Sequence, residues 1–564
     1  MTENKNVKKS LNKSKRKPRT KKEDKFDNRI ELTIDNSKSK YTSQSEALLQ
    51  LILGNNVFLS GPAGSGKSFV IRKYCKILRS IDPDVNIYRT STTGLSALNI
   101  QGETIHSYSG QGVSSKSYSE FKEDHSAFEG LWQKSLRKIR DTDVLIIDEI
   151  SMFSEAQMKF LRERMEDVLR RKLNHTQIIV AGDFSQLQPV ATRQQIRDFG
   201  PELANYCYGT GVWNKFNFVN CYLDRIYRAK DTRLQELLDL ISTGHGSDPR
   251  AIEILRSIKT RRESHIPGVP TLLPTNREVS ATNKRWQDAN NGQEYYSYTH
   301  YDNTHEIKLA HKMAKERDVE EELRIKAGDT VMITTNDNEN DPYAQAVNGG
   351  PTLKNGMIGQ FIGMMGEAKS DSPEPARRLP LNAKLKFVYK FEVDGIEKEF
   401  LYLISQYHET ILNSHDIMVA GFTQYPLKLA YAISIHKSQG QTFSNIAVNL
   451  SRSWAPGLGY VALSRATNIS GIMLIDEYGS GTPWNATALQ IDHTSMLIKQ
   501  SLMVRSRKLR KQYERFYPVA AYDIFYIIKN RKRKKLNTLL IDAHARMVKD
   551  KSSDKPSKPK IKIK

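Results

Sequence analysis

Residues 61–68 read GPAGSGKS and follow directly on the apolar run Val57, Phe58, Leu59. Gly61, Gly66, Lys67 and Ser68 fit G-x-x-x-x-G-K-[ST], in which a glycine-rich turn lets successive backbone N–H groups close around phosphates. The helix that follows turns its positive end towards them. Gly61, Pro62, Ala63, Gly64, Ser65 and Gly66 are then the cradle, Lys67 reaches the β and γ phosphates, and Ser68 holds a magnesium ion. The helix-compatible FVIRKYCKILRS after the loop supplies the context such a loop needs. The expected fold class is α/β, with a parallel sheet that carries ligands at the carboxyl ends of its strands.

Outward from the loop, NVFLS, VNIYRTST, DVLIIDE and QIIVAGD are short apolar runs separated by helix-compatible sequence. That rhythm predicts parallel strands buried on both faces. DVLIIDE places Asp148 and Glu149 at a strand end: Asp148 would complete the magnesium shell, and Glu149 would orient and deprotonate the attacking water. AGDFSQLQPV puts Gly182, Asp183 and Gln186 at the corresponding edge, where Gln186 could sense the γ-phosphate, although a polar turn capping a strand reads the same way. Hydrolysis needs further positive charge at the leaving phosphates. Arg228 in LDRIYRAKD and Arg465 in YVALSRAT are the candidates, while by composition alone each reads more readily as a solvated or structural arginine.

The 564 residues carry 86 Lys+Arg against 63 Asp+Glu, a formal charge of +23. Such a surplus points to nucleic acid or an anionic surface as partner. No apolar run is long enough to span a bilayer, and Met1 to Lys25 has no apolar core of secretory type, so a membrane is the weaker reading. Cys75, Cys207 and Cys221 form no C-x-x-C pair, which argues against a disulfide framework or zinc site and suits a reducing, intracellular setting. Residues 1–37 are Lys-, Asn- and Ser-rich and are expected to be disordered, either a phosphate-binding arm, a nuclear address or a solvated tail. Residues 107–140 interrupt the strand rhythm as a polar insertion. The α/β texture of 223–286 resumes at 427, and 287–426 reads as a β module in which Asp394-Gly395 is a tight hairpin turn. From 503 to 564 the chain is basic again.

Taken together, GPAGSGKS, TSTTGLSALNIQGETIHS, DVLIIDEIS, AGDFSQLQPV, LAYAISIHKSQGQTF and GYVALSRAT resemble, in order and spacing, the motifs of superfamily 1 helicases. Within that group they look most like the Pif-type DNA helicases, over roughly residues 38–480. The resemblance implies two RecA-like P-loop domains with parallel sheets, 38–222 and 223–286 plus 427–502. It makes 107–140 an inserted wedge and 287–426 an inserted SH3-like β subdomain, with 503–564 as a basic extension. It makes Gln44 the adenine reader, Lys67 and Ser68 phosphate and magnesium contacts, Asp148 and Glu149 the metal and water pair, and Gln186 the coupler of ATP to DNA. Arg228 and Arg465 become arginine fingers. Thr93, Gly94 and His106 resemble a DNA-backbone segment, and His436, Lys437, Ser438, Gln439 and Gly440 one that meets DNA and nucleotide. On the residues alone His106 and His436 read first as hydrogen-bonded structural histidines. Gln188, Ala229, Tyr431 and the segment Asn174, His175, Thr176 depart from the family pattern and suit a divergent member, of phage or viral type or near the RecD and Dda-like helicases.

The implied function is ATP- and magnesium-dependent 5′-to-3′ translocation on single-stranded DNA and unwinding of forked duplexes in replication, repair or recombination. The setting would be intracellular, on DNA in a nucleus, nucleoid or infected cell. One copy is the expected working unit, with assembly on DNA left open. An RNA or RNA–DNA hybrid helicase has the same ATP site. An ATP-driven DNA-remodelling factor without processive unwinding is the third alternative.

Overall fold

Apolar residues in a strand point alternately to its two faces, and a strand buried on both faces therefore feeds two cores. Val144–Asp148 shows this directly: Val144 and Ile146 join one hydrophobic cluster, Leu145 and Ile147 the opposite one. The computed structural model describes residues 41–513, apart from 94–95, 98–99, 112–114, 124–128, 190, 230, 263–268, 303–306, 317–318, 336, 338–341, 354, 367–374, 381, 394–395, 413–417 and 478, together with residue 545. The basic tails, apart from 503–513 and residue 545, lie outside the described residues, as do Gly94 and the expected turn at Asp394-Gly395.

Val57–Ser60 (β1), Ile87–Ser91 (β2), Glu103–Thr104 (β3), Val144–Asp148 (β4), Gln177–Gly182 (β5) and Val219–Tyr222 (β6) form one parallel sheet in the order β3-β2-β4-β5-β1-β6. Gln44–Ile52 (α1) and Lys67–Ile81 (α2) cover one face through Leu48, Leu51, Val70, Tyr74 and Leu78. The helix Glu155–Leu169 covers the other through Met158, Leu161 and Met165. The start of α1 is fixed by a capping box in which Ser43 and Glu46 satisfy each other's backbone N–H groups, which sets Gln44 at the first helical position.

The described part of 107–140 carries the helices Ile105–Ser109, Tyr118–Glu123 and Glu129–Asp141, with non-helical residues between the first two. Tyr118, Phe121 and Trp132 pack on Phe160 of the Glu155–Leu169 helix, and the Arg164 guanidinium lies over the Trp132 ring.

Lys259–Arg261 (β7) and Thr271–Leu273 (β8) belong to a second parallel sheet, ordered Ala432–Ser434, β8, Ile446–Val448, Ile472–Ile475, β7. Between β8 and Ala432 lies the inserted β module. Its main sheet is antiparallel and contains the expected strands Thr330–Ile333, Ile358–Met364, Leu385–Val393 and Ile396–Ile404. Leu427–Leu429, read from sequence as the start of the resumed α/β texture, is instead the edge strand of this sheet, paired with Thr330–Ile333. The second parallel sheet resumes only at Ala432. Tyr431 at that junction donates its hydroxyl to buried Asp329 at 2.7 Å, a bond that a tryptophan at this position would not make in the same way.

The helix His493–Tyr513 runs across the expected boundary at 502/503 and touches both parallel-sheet domains. Lys499 Nζ donates to Ser242 Oγ at 2.7 Å and Met496 packs over Gly244 in the second. In the first, Tyr206 meets Ser495 at 2.7 Å, Leu509 enters the α1–α2 core, and Ser506 Oγ accepts from the backbone N–H groups of Thr42 and Tyr222 at 3.2 and 3.1 Å. Ser506→Ala strips both buried donors of their partner, so we expect a loss of about 1–3 kcal/mol in unfolding free energy, measured by urea denaturation.

Candidate active site

The glycine-rich loop leaves β1 and enters α2, whose first residue is Lys67. Gly64 and Gly66 take φ values of +81° and +87°. Space forbids side chains as well: a Cβ on Gly61 would lie 2.3 Å from Leu223 O, and one on Gly64 2.5 Å from Arg228 Cβ. The second of these contacts matters most, because Tyr227 and Arg228 donate their backbone N–H groups to Gly64 O at 2.8 and 3.3 Å. The loop thereby holds Arg228 directly against itself. Gln44 Nε2 donates to Ser65 O at 3.0 Å, so the expected adenine reader also braces the loop. Pro62 and Ala63 complete its wall, Ser65 is buried, and Ser68 is half-buried at the head of α2. A cleft of ≈ 910 Å³ opens beside the loop, lined by Pro62, Tyr41, Tyr222, Arg225, Tyr227 and Lys499 among others.

Lys67 Nζ donates to Gly61 O at 2.9 Å and Pro62 O at 3.1 Å. Desolvation lowers its pKa, against the pull of Asp183, Glu149 and Asp148. Asp148 ends β4, buried, accepting from the Glu149 N–H at 2.9 Å. Burial and the neighbouring Glu149 push its carboxyl up to about 7. Glu149 sits in the left-handed region at φ 54°, uncommon for a residue with a side chain. Two bonds hold it there: Thr92 Oγ1 donates to its carbonyl at 2.9 Å, and Gln439 Nε2 donates to its carboxylate at 3.2 Å. Gln439 comes from the second domain.

Two arginines lie close enough to Glu149 to feel its charge. Arg228 has its pKa lowered by desolvation, with Glu149 opposing. Arg465 is almost wholly buried, and desolvation followed by the nearby Arg228 charge brings its pKa to about 10. Its guanidinium donates to the carbonyls of Val461, Ser438 and Gln441 and to Ser464 Oγ, so it ties the IHKSQGQT turn to the Leu458–Leu463 helix. Gln186 is buried on the turn after β5, its Nε2 3.5 Å from Asp183 Oδ2. Lys67, Asp148, Glu149, Gln186, Arg228, Arg465 and Gln439 thus converge on one cleft between the parallel-sheet domains.

The expected DNA contacts are more dispersed. Thr93 Oγ1 accepts from the Ser96 N–H at 3.2 Å. His106 Nε2 lies 2.8 Å from Gln157 Nε2, and burial lowers its pKa to about 4, which keeps the ring neutral and accepting from the amide. His436 stacks on exposed Trp454 with ring centroids 6.1 Å apart and planes inclined by 12°. Lys437 is exposed, whereas Ser438 is buried and donates its hydroxyl to Ile435 O at 2.7 Å. Gly440 turns the chain at φ +81°. Sequence reasoning passed over Tyr460, which lies in the same cleft; its position inside YVALSRA was the signal available.

The PIF1-like helicase family matches residues 35–237. Over 477 residues the chain is 29% identical to the ATP-dependent DNA helicase Pif1 of Psychrobacter sp. (strain PRwf-1), covering 77% of this chain and 67% of that one. The chain is similar to PIF1-type helicases over about three quarters of its length. It spans only 60 to 65% of the length of several other curated Pif1-type relatives. The crystal structure of Pif1 helicase from Candida albicans superposes with a TM-score of 0.63 at 25% identity, over 81% of this chain and 98% of that one. A Bacteroides Pif1 helicase in complex with ADP-AlF3 and ssDNA shares the fold with a TM-score of 0.55 at 22% identity, over 82% and 96%. The PIF1-like fold therefore accounts for two RecA-like parallel sheets with antiparallel β subdomains.

Proposed function

We propose that the chain is an ATP-dependent DNA helicase that moves 5′-to-3′ on single-stranded DNA and unwinds forked duplexes. The observation that carries the reading is the convergence, across one interdomain cleft, of Lys67, Asp148 and Glu149 from the first domain with Gln439 and Arg465 from the second and Arg228 from the connection between them. ATP phosphates lie against the loop amides and Lys67. Glu149 takes the proton of the attacking water, and Arg228 and Arg465 neutralise the charge that develops at the phosphates. Ser68 and Asp148 are hard oxygen donors, and no cluster of three or more metal-binding side chains occurs among the described residues. That set suits magnesium, which is held by one or two protein groups plus nucleotide phosphates and supplies charge neutralisation there.

Closure brings the second domain's groups to the nucleotide, and hydrolysis removes the charge that holds them, so ATP turnover opens and shuts the cleft. Alternating grip on a strand laid across both domains turns that motion into translocation. The 107–140 insertion is the proposed duplex-splitting wedge, and the 287–426 module the SH3-like subdomain. The expected partners are single-stranded and forked DNA, with one copy as the working unit.

Steady-state ATP hydrolysis with and without single-stranded DNA, alongside unwinding of forks with a 5′ or a 3′ tail, tests the reading. Stimulation by DNA with unwinding from the 5′ tail supports it, and hydrolysis indifferent to DNA defeats it. The grip on phosphates is electrostatic, so DNA affinity should fall about ten- to a hundredfold between 50 and 200 mM salt, as fluorescence anisotropy would record.

A further inference from the structure

We propose that Tyr460 is a positioning residue that passes the seating of the second domain to Gln186, and so to the DNA-dependent step of ATP turnover. The inference rests on the helicase reading above. Tyr460 lies on the Leu458–Leu463 helix of the second domain, with 1% of its surface exposed. Its hydroxyl donates to Asp183 Oδ2 at 2.8 Å and accepts from the Ala63 N–H at 3.3 Å. Both partners belong to the first domain: Ala63 to the phosphate loop, Asp183 to the turn after β5.

Asp183 is the organiser of that turn. Its Oδ1 accepts from the Ser185 N–H at 3.0 Å, its carbonyl from the Gln186 N–H at 3.0 Å, and its Oδ2 faces Gln186 Nε2 at 3.5 Å. One carboxylate oxygen therefore answers both to the second domain and to the side chain of Gln186. Gln186 Oε1 is buried with no hydrogen-bond partner among the described residues, an acceptor held in place but not engaged. The helix carrying Tyr460 abuts the same turn at its start: a Cβ on Gly457 would lie 3.3 Å from Gln186 O and 3.5 Å from Ser185 O.

A phenylalanine would fill the Tyr460 pocket as well by volume. The hydroxyl has to be desolvated there, which is unfavourable without partners. Here both partners come from the opposite domain, so the bridge forms only when the domains are seated together. A chain of bonds then runs from the phosphate loop through Tyr460 and Asp183 to Gln186, and a buried polar chain of this kind acts as a unit.

Tyr460→Phe removes the hydroxyl alone. ATP hydrolysis is measured for the wild type and the variant with and without a saturating thymidine oligonucleotide, together with the thermal unfolding midpoint. The KM for ATP should move by less than about twofold while the ratio of DNA-stimulated to unstimulated rate falls about tenfold. Asp183→Asn should lower the ratio similarly, and the double variant should fall no further than the worse single one. A Phe variant that keeps the wild-type ratio overturns the proposal, as does one that only melts earlier or loses both rates in proportion. A wild type that DNA does not stimulate at all defeats the helicase reading and this inference with it, and that outcome is visible before any variant is made.

Discussion

Lys67→Ala lowers ATP hydrolysis by at least about a thousandfold, with or without DNA. The ammonium stands at the first position of α2, anchored to the Gly61 and Pro62 carbonyls, with Asp148, Glu149 and Asp183 close enough to raise its pKa against the effect of burial. Its removal leaves three carboxylates facing a polyphosphate at the spot where the loop should be most positive. Binding and chemistry fail together, since the same charge serves both. The fold should survive, because the bonds Lys67 makes are to two loop carbonyls and an alanine at the head of α2 suits a helix. Steady-state hydrolysis with a thermal melt on the same preparation separates the two: an inactive variant that melts like the wild type is the expected result, and a variant with appreciable turnover would remove Lys67 from the mechanism.

Glu149→Gln should separate binding from chemistry. The replacement keeps size and shape and can still meet Gln439, so the left-handed backbone held by Thr92 stays supported. It loses the proton acceptor, which should lower single-turnover hydrolysis about a hundred- to ten-thousandfold. ATP affinity should change by less than about fivefold, because the charge removed is one that opposes phosphate binding. The buried Asp148 carboxyl also loses the neighbour that helps hold its pKa up to about 7. Equilibrium binding of labelled ATP beside single-turnover kinetics decides the matter. An affinity loss as large as the rate loss would make Glu149 a structural group.

Much of this site is legible in the sequence. The phosphate loop is local, its chemistry complete within eight residues and its flanking strand and helix visible in the adjoining pattern. Asp148 and Glu149 were legible because a strand buried on both faces is a continuous apolar run, and its first polar residues mark the end where ligands gather. What stayed hidden depends on partners far away in sequence. Tyr460 reads as one more apolar residue of a short helix until Asp183 and Ala63 are found beside its hydroxyl. Arg465 offers a charge that the sequence shows, yet its bonds to Ser438 and Gln441 are made inside its own domain and no spacing announces them. Leu427–Leu429 has the texture of either sheet, and only its pairing with Thr330–Ile333 assigns it.

The helix His493–Tyr513 has a consequence for how the molecule is made. Thr42 and Ser506 are hydrogen-bonded across 464 residues of sequence. The first domain is synthesised before the second, yet the buried N–H of Tyr222 on its edge strand and the ion pair of Glu46 on α1 are completed by Ser506 and Arg510. Closing so long a loop is entropically costly and slow. The nucleotide-binding half therefore spends synthesis of the second domain and the β module with that edge uncovered, exposed to misassociation and to proteases. The second half of that late helix is what finishes the early domain.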